Sequence, residues 1–420
     1  MLRLGKVGPA GGAYYLAPAE GTGTGAEPAG QWLGRGVGAL GLAGTVAREP
    51  FERLLAGCHP ESGEPLGPSL SARRVGAYDL TFAAPKSVSL LATLAGAEVG
   101  SVVLACHQRA VARALGYLEE RAAGLRVADG GVRRVEAVGG LVGAAMVHRT
   151  SRALDPHLHC HVVVANLGRP LEGVEGPWRS LDGRGFYAHR AAADALYHAE
   201  LRAGLVAALG VGFEPGRRGR ADLVGFEPRA LACFSQRSRQ IAEELARAGP
   251  GASPEVAARR TRAAKDPGVQ LADLLPGWQA RAAAVGLTGD WLSAVLEAGR
   301  ADRQRDHGAG MEPGQLAAQV SARAGRLLRE RGRPVAPRHV VAAVGWVLGE
   351  LAPNEPGGAT WLRASAEGLW ARLAPPDVGR GVGGPGVAEV RVELTTPRIE
   401  AWRDRGPSRE RGTDWGLALG

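Results

Sequence analysis

Most of the chemistry this sequence can offer lies in one run, His148 to Val164, which reads HRTSRALDPHLHCHVVV. In a β-strand alternate side chains share a face, so His157, His159 and His161 line one side while Leu158, Cys160, Val162 and Val164 line the other. That alternation predicts a strand over His157–Asn166. Arg133–His148 reads as a second strand, and the short connection Thr150–Pro156 makes the two antiparallel neighbours. Folding the hairpin around Arg152–Asp155 brings His148 opposite the 159–161 region. Converging imidazoles are the neutral nitrogen donors a divalent ion needs. The pattern leaves zinc, manganese and magnesium open. Three histidines on one face in five residues would be wasteful as core packing, and the competing reading is a solvated polar face.

The elements that must position this strand are visible on either side. Tyr78–Phe82 alternates like a strand and ends at Ala83-Ala84-Pro85-Lys86. Helical spacing runs over Ser101–Ala123 and His189–Leu209, then over Ser238–Ala248, Leu271–Val285, Pro313–Arg331 and His339–Leu351. The fold class expected is therefore α+β, with an α+β body over residues 1–290 and a helical segment of unknown role over 291–375. Beyond Pro375 the composition turns to Gly, Pro and Arg, which reads as a linker or partly disordered tail over 376–420.

Composition sets the outer bounds. A chain of 420 residues holds two or three domains at about 150 residues each. Its formal charge is +9, carried almost wholly by arginine, since only Lys6, Lys86 and Lys265 are lysines. Arginine grips phosphate in a fork, although a GC-rich coding sequence gives the same bias. No apolar run is long enough to span a membrane, and the start, MLRLGKVGPAGG, lacks a signal-peptide layout, so a cytoplasmic protein is expected. Four scattered cysteines argue against a disulfide framework or thiolate zinc site. No G-x-x-x-x-G-K-[ST] phosphate loop occurs.

Two chemistries use a histidine face of this kind. His157-x-His159-x-His161-x-x matches the signature of histidine-triad nucleotide hydrolases; the alternative is phosphodiester cleavage by a tyrosine beside a His-x-His metal site. The surroundings separate them. Tyr78–Ser89 (YDLTFAAPKSVS) and His148-x-x-Ser151-Arg152-x-x-Asp155-Pro156-x-Leu158-His159-x-His161 closely resemble signatures of the MobF (TrwC-like) family of conjugative relaxases. Gly34–Thr45, Phe234-Ser235-Gln236-Arg237 and Thr261–Lys265 are similar too, so the resemblance covers roughly residues 1–290.

The resemblance implies a central antiparallel sheet with the His-x-His strand in its middle, flanked by helices. It implies nicking of one DNA strand at a transfer origin and a covalent link from tyrosine to the 5′ phosphate. Carried onto this chain, His148, His159 and His161 are the metal ligands, with magnesium or manganese preferred and zinc as the alternative. Asp79 orients a ligand histidine or helps to deprotonate the nucleophile, and Tyr14 is the expected nucleophile with Tyr15 in reserve. Adjacent residues point in different directions, so one of the two tyrosines is expected to face the metal. Relatives of this type carry a second tyrosine pair; Leu16 to Gly30 contains none, which places a second cleavage in doubt. The implied partners are single-stranded and hairpin DNA at the origin and a conjugation coupling protein. A basic groove for that strand draws on Arg73, Arg74, Arg179, Arg184, Arg217, Arg218 and Arg220, with Trp178 and Phe186 as stacking candidates against a core reading. A degenerate relaxase that binds DNA without cutting it is the second reading.

Overall fold

A computed structural model describes residues 2–16, 27–67, 75–129, 132–171, 176–262, 269–288, 290–308, 312–332 and 334–374. The strands are β1 (Arg3–Val7), β2 (Gln31–Leu33), β3 (Ala77–Ala83), β4 (Gly124–Asp129), β5 (Val132–Ala137), β6 (Gly143–Thr150) and β7 (Pro156–Ala165). Five of them form an antiparallel sheet in the order β1-β3-β7-β6-β2, and β4 pairs with β5 apart from it. The histidine strand β7 is thus central, as the resemblance implies. The helices are α1 (Ala13–Leu16), α2 (Arg48–Ala56), α3 (Lys86–Leu94), α4 (Ala97–Arg121), α5 (Arg184–Leu209), α6 (Pro228–Cys233), α7 (Gln236–Ala248), α8 (Pro254–Arg260), α9 (Leu271–Ala283), α10 (Trp291–Gly308), α11 (Pro313–Glu330), α12 (Pro337–Leu351) and α13 (Gly358–Leu373). Among the described residues no helix is long and apolar enough to cross a membrane.

The period-two pattern of β3 and β7 divides the sheet into two unlike faces. Tyr78, Leu80 and Phe82 share a side with Leu158, Cys160, Val162 and Val164, and all are buried. Helix α5 covers that side: Phe186 stands edge-on to Tyr78 at 5.4 Å, and Tyr197 meets Phe82 at 5.5 Å. Burying each large aliphatic here contributes about 1.5–3 kcal/mol. The opposite face is mixed. Ala144, Met146 and Val163 pack under Tyr15, Leu16, Phe51 and Leu55 of α1 and α2, while Asp79, Thr81, His148, His159 and His161 form its polar part.

One expected strand is in fact two. Arg133–His148 breaks into β5 and β6, with an irregular stretch at Val138–Val142 between them. Close backbone approach is the cause: a Cβ on Gly140 would stand 2.5 Å from the Gly36 amide nitrogen. The buried Glu119 carboxylate ties the two segments, accepting from the amides of Arg35 (2.8 Å) and Leu141 (2.9 Å). Gly34, with φ at +117°, lets the chain make this approach, which accounts for Gly34 and Gly36 in the glycine-rich Gly34–Thr45 motif.

The chain divides into one unit of Met1–Arg237 with Ala263–Glu367 and another of Ser238–Arg262 with Gly368–Gly420. Within the first, α12 packs on α5, and the buried Arg202 of α5 donates to the carbonyls of Pro353 and Gly219. In the second, an Arg260–Glu244 pair at 3.5 Å joins α8 to α7. The expected tail over 376–420 lies outside the described residues.

Two buried histidines behind the sheet should make the fold acid-sensitive. Burial pushes His107 down to about 3 and His198 down to about 4, the latter partly offset by the Asp194 carboxylate. The unfolded chain, with ordinary histidines near pKa ~6.5, then binds more protons below that pH, so stability falls as pH drops through the window from about 6.5 to 4. Each histidine should cost about 2 kcal/mol between pH 7 and pH 5, read as a lower urea midpoint. In His107→Gln the slope of stability against pH should be shallower; an unchanged slope would contradict the assignment.

Candidate active site

Strand pairing sets His148 directly opposite His159 and Met146 opposite His161, so both strands of the hairpin deliver imidazoles to one face. Ring centres of His148, His159 and His161 lie 5.2–5.3 Å apart, and one nitrogen from each falls within 4.8 Å of the others. His148 and His161 are buried and His159 half-buried. The Nδ1 of His159 bonds the His157 carbonyl at 2.9 Å, and that of His161 bonds both Asp79 carboxylate oxygens at 2.9 Å. With Nδ1 so engaged, Nε2 is the nitrogen these two rings offer, which is how metal-binding histidines are oriented. Three converging imidazoles fit a divalent ion. His157 instead stacks on His159 at 4.7 Å, outside the converging set.

Asp79 sits mid-strand on β3, on the histidine side of the sheet. Thr81, directly opposite His161, reaches both Asp79 (3.1 Å) and His161 Nδ1 (3.2 Å) through its hydroxyl. Sequence reasoning passed over Thr81, although its place two residues from Asp79 on an alternating strand was the available signal.

The tyrosines come from α1, a single turn whose buried side is Tyr15 and Leu16. Both rings lie over His161, at 6.3 Å for Tyr14 and 5.3 Å for Tyr15, rather than one facing it and one turned away. The reason is their mutual edge-to-face packing at 4.9 Å, which fans the two rings across the same imidazole. Their hydroxyls differ sharply. Tyr15 is 6% exposed and donates to Asp79 Oδ2 at 3.0 Å. Tyr14 is 36% exposed, and its oxygen accepts a 2.7 Å hydrogen bond from Arg152, whose guanidinium also lies 5.2 Å from the ring centre. Arg152 stood in the quoted motif without a role; the structure gives it one partner in the site.

The remaining arginine candidates scatter. Arg73 and Arg74 lie outside the described residues. Arg179 is half-buried and pairs its backbone with Gly168. Arg184 is held by the Asp182 carboxylate, and Arg217 is exposed on a short turn. Arg218 lies over Trp346 at 6.0 Å and Arg220 pairs with Asp194 at 3.5 Å, so packing engages both. Trp178 and Phe186 are core residues. The Pro85–Ser89 motif bolts down the start of the histidine strand: Lys86 Nζ donates to the Pro156 carbonyl at 2.7 Å, and Ser89 Oγ accepts from the Leu158 amide at 3.0 Å. Burial there pushes the Lys86 ammonium down to about 8.

This geometry can now be set beside known proteins. Residues 5–285 match the family model of the TrwC relaxase. The chain belongs to the TrwC relaxase family. Over 262 residues, 58% of this chain, it is 37% identical to the multifunctional conjugation protein TraI of Escherichia coli, and 36% identical to TraI of strain K12. It spans 14% of the length of these relatives. Among solved structures, the conjugative relaxase TrwC in a metal-bound complex with OriT DNA is 33% identical with a TM-score of 0.60, covering 69% of this chain and 99% of that one. TrwC with a 27-mer DNA comprising the recognition hairpin and the cleavage site is similar at 32% identity and a TM-score of 0.57, with the same coverage. Family membership accounts for Tyr78–Ser89 as well as the histidines, whereas the nucleotide-hydrolase reading explains the histidines alone.

Proposed function

We propose that this chain nicks one DNA strand at a transfer origin and holds the cut 5′ end on Tyr14, with a divalent ion on His148, His159 and His161. The observation that carries the reading is the exposed Tyr14 phenol, bonded to Arg152 and with its ring 6.3 Å from that of His161. The Tyr14 oxygen attacks the scissile phosphorus, the bond from phosphorus to the 3′ oxygen breaks, and that oxygen takes a proton from solvent to leave as a 3′ hydroxyl. The phenolic proton departs to the solvent that reaches Tyr14. Arg152 holds the attacking oxygen in place and sets a positive charge beside the anionic phosphodiester. Asp79 fixes the tautomer and tilt of His161, and Tyr15 steadies Asp79. A bound ion would supply Lewis-acid polarisation of a non-bridging phosphate oxygen. An all-imidazole donor set suits zinc, copper or nickel better than oxygen-seeking magnesium, which revises the preference drawn from resemblance alone.

The separate β4–β5 ribbon supports a duplex partner. A two-stranded ribbon fits a major groove, and this one carries exposed Arg126 and Arg134 on its two faces, paired with Asp182 at 3.9 Å and Glu136 at 2.9 Å. The TrwC relative was solved with a DNA that includes a recognition hairpin.

The test is a covalent adduct. Purified protein, divalent ion and a 3′-labelled single-stranded library tiled across the DNA flanking its gene should give label that stays on the protein through denaturing electrophoresis. Binding of that DNA with no adduct under any divalent ion would favour the degenerate, binding-only reading instead.

A further inference from the structure

The turn joining the two histidine strands is gripped from a distant part of the chain, and that grip is unused by the chemistry above. The turn is tight: the Ser151 hydroxyl oxygen accepts from the amides of Ala153 (3.2 Å) and Asp155 (3.1 Å), and the Ser151 amide donates to the Asp155 carbonyl at 2.9 Å. Leu154 closes it with φ at 55°, in the left-handed region where a branched side chain crowds its own backbone. Two groups from α9 hold this conformation. The Trp278 indole N–H, in a residue 2% exposed, donates to the Leu154 carbonyl at 2.9 Å. Arg281 donates to Asp155 Oδ1 at 2.9 Å and to the Cys233 carbonyl at 2.7 Å, with its guanidinium over Phe234 at 4.5 Å. Gln236 adds its backbone amide and side-chain amide to the Asp155 carboxylate, both at 2.8 Å. Asp155 itself is 1% exposed. The Phe234–Gln236 motif and α9 therefore converge on the last two residues of a turn whose second residue, Arg152, reaches the Tyr14 oxygen.

Building on the nicking reading, we propose that α9 is a strap that sets the working position of Arg152, and through it of Tyr14, with Trp278, Arg281 and Asp155 as positioning residues. A left-handed leucine persists only where its surroundings over-determine it, and such strain collects at sites where placement matters. Loosening the strap leaves the ribbon and the metal donors in place but lets Arg152 drift from the phenol. Misplacement of this kind acts on the rate of the chemical step and spares ground-state DNA binding.

The experiment is a double-mutant cycle on single-turnover adduct formation, using the strand that the full-length wild-type protein cleaves. Trp278→Phe keeps the ring and removes the N–H; Arg281→Gln keeps a donor for the buried carboxylate and serves as the second variant should the first fail to fold. Each should slow adduct formation at saturating DNA on the order of tenfold, with the DNA dissociation constant unchanged within about twofold. In an Arg152→Ala background the same substitutions should change the rate by less than about twofold, because the residue they act through is gone. Effects that multiply across the cycle, or a loss confined to DNA affinity, would overturn the strap while leaving the nicking reading intact. A wild-type protein that forms no adduct defeats both.

Discussion

Replacing His159 with alanine is expected to slow adduct formation by on the order of 10²- to 10³-fold, while the affinity for single-stranded DNA stays near wild type. His159 lies opposite His148 in the strand ladder and its ring stands 5.2 Å from that of His161, so its removal leaves two imidazoles too few to hold an ion in a defined place. Lewis-acid help is worth several kcal/mol in such reactions, which sets the size of the loss. DNA affinity should be spared because, on the proposed reading, it resides in phosphate contacts rather than in the metal donors. Calorimetric titration with manganese or zinc should show binding weakened in step with the rate. A His159→Ala protein that cleaves at the wild-type rate would remove the metal from the account.

Tyr14→Phe should abolish the adduct, a fall on the order of 10⁴-fold or more, because it deletes the attacking oxygen and keeps the ring. Tyr15→Phe should do far less. Its hydroxyl donates one hydrogen bond to Asp79, and losing a bond of about 1 kcal/mol loosens the Asp79–His161 pair by about fivefold in rate. The inverse pattern, with Tyr15→Phe inert and Tyr14→Phe active, would transfer the nucleophile's role to the buried phenol and demand that α1 turn over before attack.

Much of the site could be read from residue types, and the reasons are specific. His148, His159 and His161 were legible because a period of two along a strand, plus a short connection, fixes which side chains share a face. Asp79 came from the family resemblance, since on its own it reads as a residue at the start of a strand. The break between β5 and β6 was hidden, since Gly140 looks like an ordinary strand interruption until Gly36 is seen to press against it. The strap was hidden for a different reason: Trp278 and Leu154 stand 124 residues apart, and no periodicity links an indole to one carbonyl. Arg218 and Arg220 show the limit of composition: a basic cluster in a glycine-rich turn reads the same whatever it faces, and their neighbours Trp346 and Asp194 are visible only in the structure.

Peptide mapping of the purified protein–DNA adduct tests the central claim most directly. Trypsin cuts after Lys6 and after Arg35, and the peptide between them contains two tyrosines, Tyr14 and Tyr15. Fragmentation of that peptide should place the phosphonucleotide on Tyr14; its appearance on Tyr15, or on any other peptide, would contradict the account.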